Sequence, residues 1–360
     1  MTPFGTFFLP GPTEVRREIL EAMLQPMLPH RGAAFEALYG RVDAGLRTVF
    51  RTQRPVFIGS CSATGLMEAA VRCAPAGPIL ALVNGAFSQR FADIARACDR
   101  ETHVLHVPLG ETHTLESVDA ALSAQWHAAM TVVHSETSTG ALQDIAALAA
   151  LAHRHGTAIL VDSVTGIGGA PVETDAWQLD FVLTGSQKAL ALPPGLAFGV
   201  ASESFILQAQ TATAKGLYFD LVEFEEYAHK RQTPNTPALS LIYAADAQLR
   251  SIAEEGIEAR WARHEAMRRE VLAWCEGHGL GVVAAEGERS PTVTAIRLPA
   301  GVTGPRMAAE VATLGYVVGS GYGGLKETTF RIGHMGDHTL TGLRGCLEAC
   351  EGALGSLRAG

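Results

Sequence analysis

Cysteine is scarce and shows no pattern: Cys61, Cys73, Cys98, Cys275, Cys346 and Cys350 are scattered, with no CxxC spacing. That excludes a disulfide framework or a thiolate zinc site as the organising device, and it fits reduced, mostly buried thiols in a cytoplasmic chain. Basic charge is also short, with 28 Lys and Arg against 37 Asp and Glu, a net charge of −9 and no basic block. Phosphate-rich partners need a basic surface, so neither nucleic acid nor an anionic membrane is an expected partner. No uninterrupted apolar run approaches the ~20 residues of a membrane span, and a soluble protein is expected. The apolar opening from Met1 to Pro10 lacks a basic start and carries proline and glycine. It reads as an arm that packs on something, such as a partner subunit, rather than as a signal peptide. His103, His106 and His113, like the pair His153 and His155, have no acidic or thiol companions at repeating ligand spacing. No metal is expected there, and these side chains are expected to be solvated.

What the chain does have is bulk. Its 360 residues, 47% hydrophobic with 38 glycines, can build a large core and more than one domain. The expected division is an N-terminal arm over 1–15, a large domain over 16–250 and a small C-terminal α+β domain over 251–360. Thr233-Pro234-Asn235-Thr236-Pro237 marks the passage between them, ahead of a long helical stretch interrupted near Gly256.

Short apolar runs repeatedly stop on polar groups. Ile159-Leu160-Val161 ends on Asp162. Phe181-Val182-Leu183-Thr184 ends on Gly185-Ser186-Gln187-Lys188, and Pro193-Pro194-Gly195 then turns into a third run from Leu196 to Val200. Such runs, bounded by Gly, Ser and Pro, read as buried strands. In open α/β sheets ligands gather at strand ends, so Asp162 and Lys188 are expected to face one cavity. An Asp closing a strand is ordinarily a turn or cap residue, and a lone Lys a solvated charge. Together, in a stretch poor in charge, they fit another chemistry. A desolvated lysine amine can form a Schiff base with an aldehyde cofactor, while a carboxylate holds a pyridine nitrogen protonated.

Other strand ends follow the same rule. Val56-Phe57-Ile58 leads into Gly59-Ser60-Cys61-Ser62-Ala63-Thr64-Gly65, small residues and hydroxyls at a strand-to-helix turn, where a helix dipole favours an anion or where Ser and Thr merely cap. Phe87 follows the run Ile79 to Val83 and is either core or a stacking ring. Thr137 lies in His134-Ser135-Glu136-Thr137-Ser138-Thr139-Gly140 after Thr131-Val132-Val133, a polar turn or a further part of the site. Thr13 is expected to cap a helix running to Met23. Gly319-Ser320-Gly321-Tyr322-Gly323-Gly324 matches GxGxxG, but a strand, Phe330-Arg331-Ile332, follows where a dinucleotide fingerprint needs a helix. Arg331, between apolar neighbours, is a salt-bridge residue or a bidentate anion grip.

Val161-Asp162-Ser163, Gly168-Gly169, Thr184-Gly185-Ser186-Gln187-Lys188-Ala189-Leu190 and Pro193-Pro194-Gly195 occur in this order, and the chain resembles the class V aminotransferases of pyridoxal phosphate (PLP) fold type I from Pro10 to about Glu351. Alanine/serine–glyoxylate or pyruvate aminotransferases are the members it looks most like. The resemblance implies an α/β fold with a mostly parallel seven-stranded sheet, PLP as cofactor, and a homodimer with active sites at the subunit interface. It implies Lys188 as the Schiff-base lysine and proton carrier, Asp162 at the pyridine nitrogen, Ser62, Ala63 and Thr64 at the phosphate, and Phe87 stacked on the ring. It further implies Thr137 near the ring hydroxyl, Gln187 near the ring or phosphate, Thr236 or Asn235 reaching the phosphate of the other subunit, and Arg331 on the substrate α-carboxylate. His30-Arg31 matches a family motif, with a helix-flanking role equally open. The expected reaction is transamination between a small amino acid and a small 2-oxo acid, with ping-pong kinetics. The alternatives are a 2-aminoethylphosphonate–pyruvate transaminase, a lyase or desulfurase, and a noncatalytic scaffold that senses a ligand.

Overall fold

The computed structural model describes residues 4–359, the last by its backbone alone; Met1, Thr2 and Pro3 of the expected arm, and Gly360, lie outside the described residues. The large sheet has seven strands: β1 (Phe57–Gly59), β2 (Ile79–Val83), β3 (Thr102–His106), β4 (Ala129–Val133), β5 (Ala158–Asp162), β6 (Phe181–Gly185) and β7 (Ala197–Ala201). Their spatial order is β3-β2-β4-β5-β6-β7-β1. All neighbours are parallel except β7, which runs antiparallel to both β6 and β1. This is the mostly parallel seven-stranded sheet that the family resemblance implies.

Every residue of β2, β4, β6 and β7 is buried, as expected for strands covered by helices on both faces. β3, which carries Thr102, His103 and His106, is half-buried at the sheet edge. The chain steps outward from β2 to β3 and then crosses to β4. A crevice opens beyond the strand ends at such a reversal.

A second sheet joins the arm to the C-terminal third. Phe7–Phe8 pairs in parallel with β9 (Val317–Ser320), which pairs antiparallel with β10 (Thr329–Gly333), itself beside β8 (Val293–Arg297). The helices Ile257–Gly277 and Leu340–Ala359 pack Met267, Val271, Leu343 and Cys346 onto this sheet in an apolar cluster separate from the larger one beneath β1–β7. Phe8 is fully buried there and stacks on His338 at 4.1 Å. Burying such a ring contributes about 1.5–3 kcal/mol, enough to hold the arm in place.

Two local expectations are corrected. Thr13 caps no helix: the helix begins at Arg17 and runs only to Glu21 before a short 3₁₀ turn, because Thr13 is drawn instead to the segment around Lys188. His113 is buried rather than solvated, held by the Leu105 carbonyl and the Gln143 side chain.

Candidate active site

The ends of five strands converge on one cavity of about 170 Å³, lined by residues that include Ser62, Ala63, Thr64, Phe87, Thr137, Asp162, Gln187 and Lys188. Eight of the residues singled out from the sequence are thus brought together. Ser62, Ala63 and Thr64 follow β1 and open the helix Ala63–Cys73, whose Ser62 N-cap makes no side-chain cap bond. Gly65 N–H closes the turn on Ser62 O at 2.8 Å, but among the described residues the N–H groups of Ala63 and Thr64 and both hydroxyls have no partner and can receive an anion at the positive end of the helix.

Lys188 follows β6 and is 8% exposed. Its backbone is clamped from the arm: Thr13 N–H donates to Gln187 O at 2.9 Å, and Thr13 Oγ1 donates to Lys188 O at 3.0 Å. Arg260 Nη2 donates to the next carbonyl, Ala189 O, at 2.9 Å. The lysine side chain crosses Gly11 so closely that a Cβ there would overlap it, and Nζ donates to Pro10 O. Burial, with Arg331 adding to it and Asp162 opposing, lowers the amine from 10.5 to about 7. A lysine so placed is substantially unprotonated near neutrality and nucleophilic.

Asp162 ends β5, is 4% exposed, and accepts one hydrogen bond, from Val164 N–H at 2.8 Å on Oδ1. Burial raises its carboxyl from 3.8 to about 6, Val164 N–H opposing and Glu136 adding. No partner meets Oδ2 among the described residues. A buried carboxylate so poorly matched calls for a cationic or N–H-bearing ligand in the cavity.

Phe87 opens the helix Ala86–Ala97, and its position is set by Glu136, a residue that sequence reasoning did not single out. The fully buried Glu136 carboxylate accepts from Phe87 N–H at 3.2 Å, Ser88 N–H at 2.9 Å and Ser138 Oγ at 2.6 Å. It neutralises the helix N-terminus where the ring must be held still. Lys188 Nζ lies 5.8 Å from the centre of the Phe87 ring. Thr137 Oγ1 shares a 2.5 Å hydrogen bond with Thr165 Oγ1.

Arg331, on β10, reaches this group from the small sheet. It is 8% exposed, and its Nε and Nη1 donate to Ser320 O and Thr137 O at 3.0 and 3.1 Å. Nη2 has no partner among the described residues, which leaves the guanidinium an edge for a planar anion. Burial lowers its pKa to about 10.

Thr236 stands apart, in a shallow separate hollow with Ser60, Tyr218 and Asn235. Arg31 is tied to the carbonyls of Thr233 and Pro234, at 2.6 and 2.8 Å, and does not reach the cavity. Cys346 and Cys350 are fully buried in the last helix, where they cannot present a thiol to a substrate. No grouping of three or more His, Cys, Asp or Glu suited to a metal occurs among the described residues, nor does any helix long and apolar enough to cross a membrane.

Residues 59–321 match the family described as Aminotransferase class-V. An uncharacterized aminotransferase of Methanocaldococcus jannaschii is 35% identical over 334 residues, 91% of this chain and 87% of its own. The L-aspartate–glyoxylate aminotransferase of Paracoccus denitrificans is 32% identical over 349 residues, 94% and 88% of the two chains. Among solved structures, alanine–glyoxylate aminotransferase from a Nostoc species superposes with a TM-score of 0.93 at 31% identity, covering 98% of this chain and 96% of that one. The chain belongs to the class V aminotransferases, with the fold type I architecture, and it is an aminotransferase.

Proposed function

We propose that this enzyme transfers an amino group between a small amino acid of the alanine or serine type and a small 2-oxo acid, glyoxylate or pyruvate, with pyridoxal 5′-phosphate as cofactor. The observation that carries the reading is the placement of Lys188 and Asp162 in one cavity with a free anion cup. The residues fit that cofactor. Ser62, Ala63 and Thr64 would hold the phosphate, Phe87 would cover the ring, Thr137 and Gln187 would border it, and the unmatched Asp162 would meet the pyridinium nitrogen. Bound there, pyridoxal phosphate supplies an electron sink for the pair left at the substrate Cα when its proton departs.

The chain's own groups do the rest. Arg331 grips the substrate α-carboxylate through Nη2 and so fixes Cα. Lys188 Nζ, with its lowered basicity, would take the proton from the substrate Cα and hold it for return. Asp162, opposite a cation, becomes fully ionised and keeps the pyridine nitrogen protonated. The glyoxylate-using relatives support the choice of acceptor.

Exposed Leu20, Leu24, Met27 and Leu217 support a homodimer in which Thr236 serves the cofactor of the second copy. The two apolar clusters support a large domain over 16–250 and a small one over 251–360, with the helix Leu239–Glu255 crossing the boundary. The unpaired thiols fit a cytoplasmic setting. Initial rates with an amino-acid panel against glyoxylate and pyruvate test the reaction. Parallel double-reciprocal lines are expected; an obligatory ternary complex, or no amino transfer to either acceptor, rejects it.

A further inference from the structure

The glycine-rich segment 319–324 leaves β9 on the way to β10, and it places one large side chain, Tyr322, against two residues that line the cavity, Phe87 and Arg90. At its base the loop is rigid. Gly321 N–H donates to Thr329 O at 2.8 Å, and a Cβ on Gly321 would overlap both Leu325 O and Thr329 Oγ1. At its tip, Gly323 takes φ +55° and Gly324 faces open space. Tyr322 lies between them, 39% exposed despite its size.

Its ring reaches back across the gap between the two sheets. It stacks on Phe87 with centroids 5.3 Å apart and planes inclined by 26°, and Arg331 Cζ lies 5.4 Å from its centre. Arg90 Nη2 donates to the phenol oxygen at 3.4 Å, while the same guanidinium lies 5.0 Å from the Phe87 ring centre. Tyr322 therefore touches both the ring expected to cover the cofactor and the arginine expected to grip the carboxylate.

We propose that Tyr322 is a specificity-determining residue: its ring closes the side-chain end of the substrate pocket and admits nothing larger than a hydroxymethyl-sized side chain. This rests on the transaminase reading and names its substrate class more narrowly. A carboxylate held by a guanidinium puts its carbon roughly 4 Å from Cζ, with Cα one bond further. Cα and the Tyr322 ring centre then stand at similar distances from one Cζ, roughly 5.5 Å and 5.4 Å, so a substituent on Cα that turns toward the ring meets it. The ring, rather than the hydroxyl, sets the limit, because the ring is what stacks on Phe87 and lies beside the Arg331 guanidinium.

The test uses the holoenzyme, with Tyr322→Ala and Tyr322→Phe. Dissociation constants of straight-chain carboxylates from acetate to hexanoate are measured by calorimetry, alongside kcat/KM for alanine, 2-aminobutyrate and norvaline. For the wild type, affinity and kcat/KM should each fall about tenfold per added methylene once the chain outgrows the pocket. Tyr322→Ala should flatten both series, and Tyr322→Phe should keep them steep. Equal chain-length dependence in the wild type and Tyr322→Ala overturns the proposal, as does a flat wild-type series. If the carboxylate series behaves as stated but no amino acid turns over, the filter stands and the transaminase reading falls. Turnover with unchanged chain-length dependence does the reverse.

Discussion

Around the cavity, Asp162, Lys188 and Arg331 are buried with few ionic partners. Where the 336–338 turn meets the helices Leu239–Glu255 and Ile257–Gly277, the well-covered side chains of Asp337 and Arg260 and the half-buried ones of Arg16 and Glu255 form a chain of ion pairs. Arg260, 2% exposed, donates to Asp337 and Glu255 at 2.8 Å each, and Arg16 Nε donates to Asp337 at 2.7 Å. Burial pushes both acids up, but the arginines outweigh it and hold Asp337 and Glu255 below their ordinary values. In the cavity the balance is reversed: burial wins, the carboxyl rises to about 6 and the amine falls to about 7. Burial is common to the two places; pairing is what differs. A matched cluster fixes its charges and serves as a fastening, whereas an unmatched one keeps a carboxyl and an amine close to neutrality, ready for a ligand.

Removing the central group of each cluster breaks the comparison most sharply. Lys188→Ala should lower turnover by about 10³-fold or more and abolish the visible absorbance of the reconstituted enzyme, with little loss of folding stability. A variant with unchanged rate and spectrum rejects its role. Arg260→Ala should do the opposite, destabilising the fold by about 3–5 kcal/mol in urea titration because Asp337 keeps a buried, less compensated charge.

Paired isosteric changes sharpen the contrast through pH. The folded pKa of Asp162, about 6, lies above its ordinary 3.8, so the fold loses stability as pH rises from 3.8 through 6 and stays at that cost above it. Asp162→Asn should therefore raise the Tm of cofactor-free protein at pH 7, with the gain vanishing below about pH 3.8. The folded pKa of Asp337 is depressed; it contributes stability above 3.8 and loses it as pH falls through the lower folded value. Asp337→Asn should lower Tm at pH 7, less so in acid. Shifts of one sign in both variants would erase the distinction. The smallest expected effect is that of Thr13→Val, which removes the hydroxyl on Lys188 O: about 1 kcal/mol, seen as a several-fold loss in kcat/KM with the fold intact.

Much of this site was legible in the chain because its signals are local. An apolar run stopping on Asp162, a run ending in Gly185-Ser186-Gln187-Lys188, and a small-residue turn at Ser62-Ala63-Thr64 each carry strand, turn and chemistry within a few residues. What escaped depends on partners far away in sequence. Glu136 matters because of Phe87, 49 residues earlier, and nothing in Ser135-Glu136-Thr137 announces a helix terminus above it. Thr13 looked like a cap because Ser and Thr favour that position, but Lys188, 175 residues on, competes for its hydroxyl and wins. Tyr322 sat in a glycine-rich motif weighed only for dinucleotides, and its neighbours Phe87 and Arg90 come from the helix Ala86–Ala97, more than 230 residues earlier. His113 was expected to be solvated, since only the fold supplies Gln143.

The arm has a further implication for how the enzyme comes into being. Residues 7–16 leave the ribosome well before their partners do: Thr13 waits for one 175 residues downstream and Arg16 for one 321 residues downstream. A nascent chain can assemble its large sheet while this leading segment still hangs loose. The arm that covers the lysine with Pro10 and Gly11 is fastened only once the chain through Asp337 has been made, so the reactive amine is enclosed late.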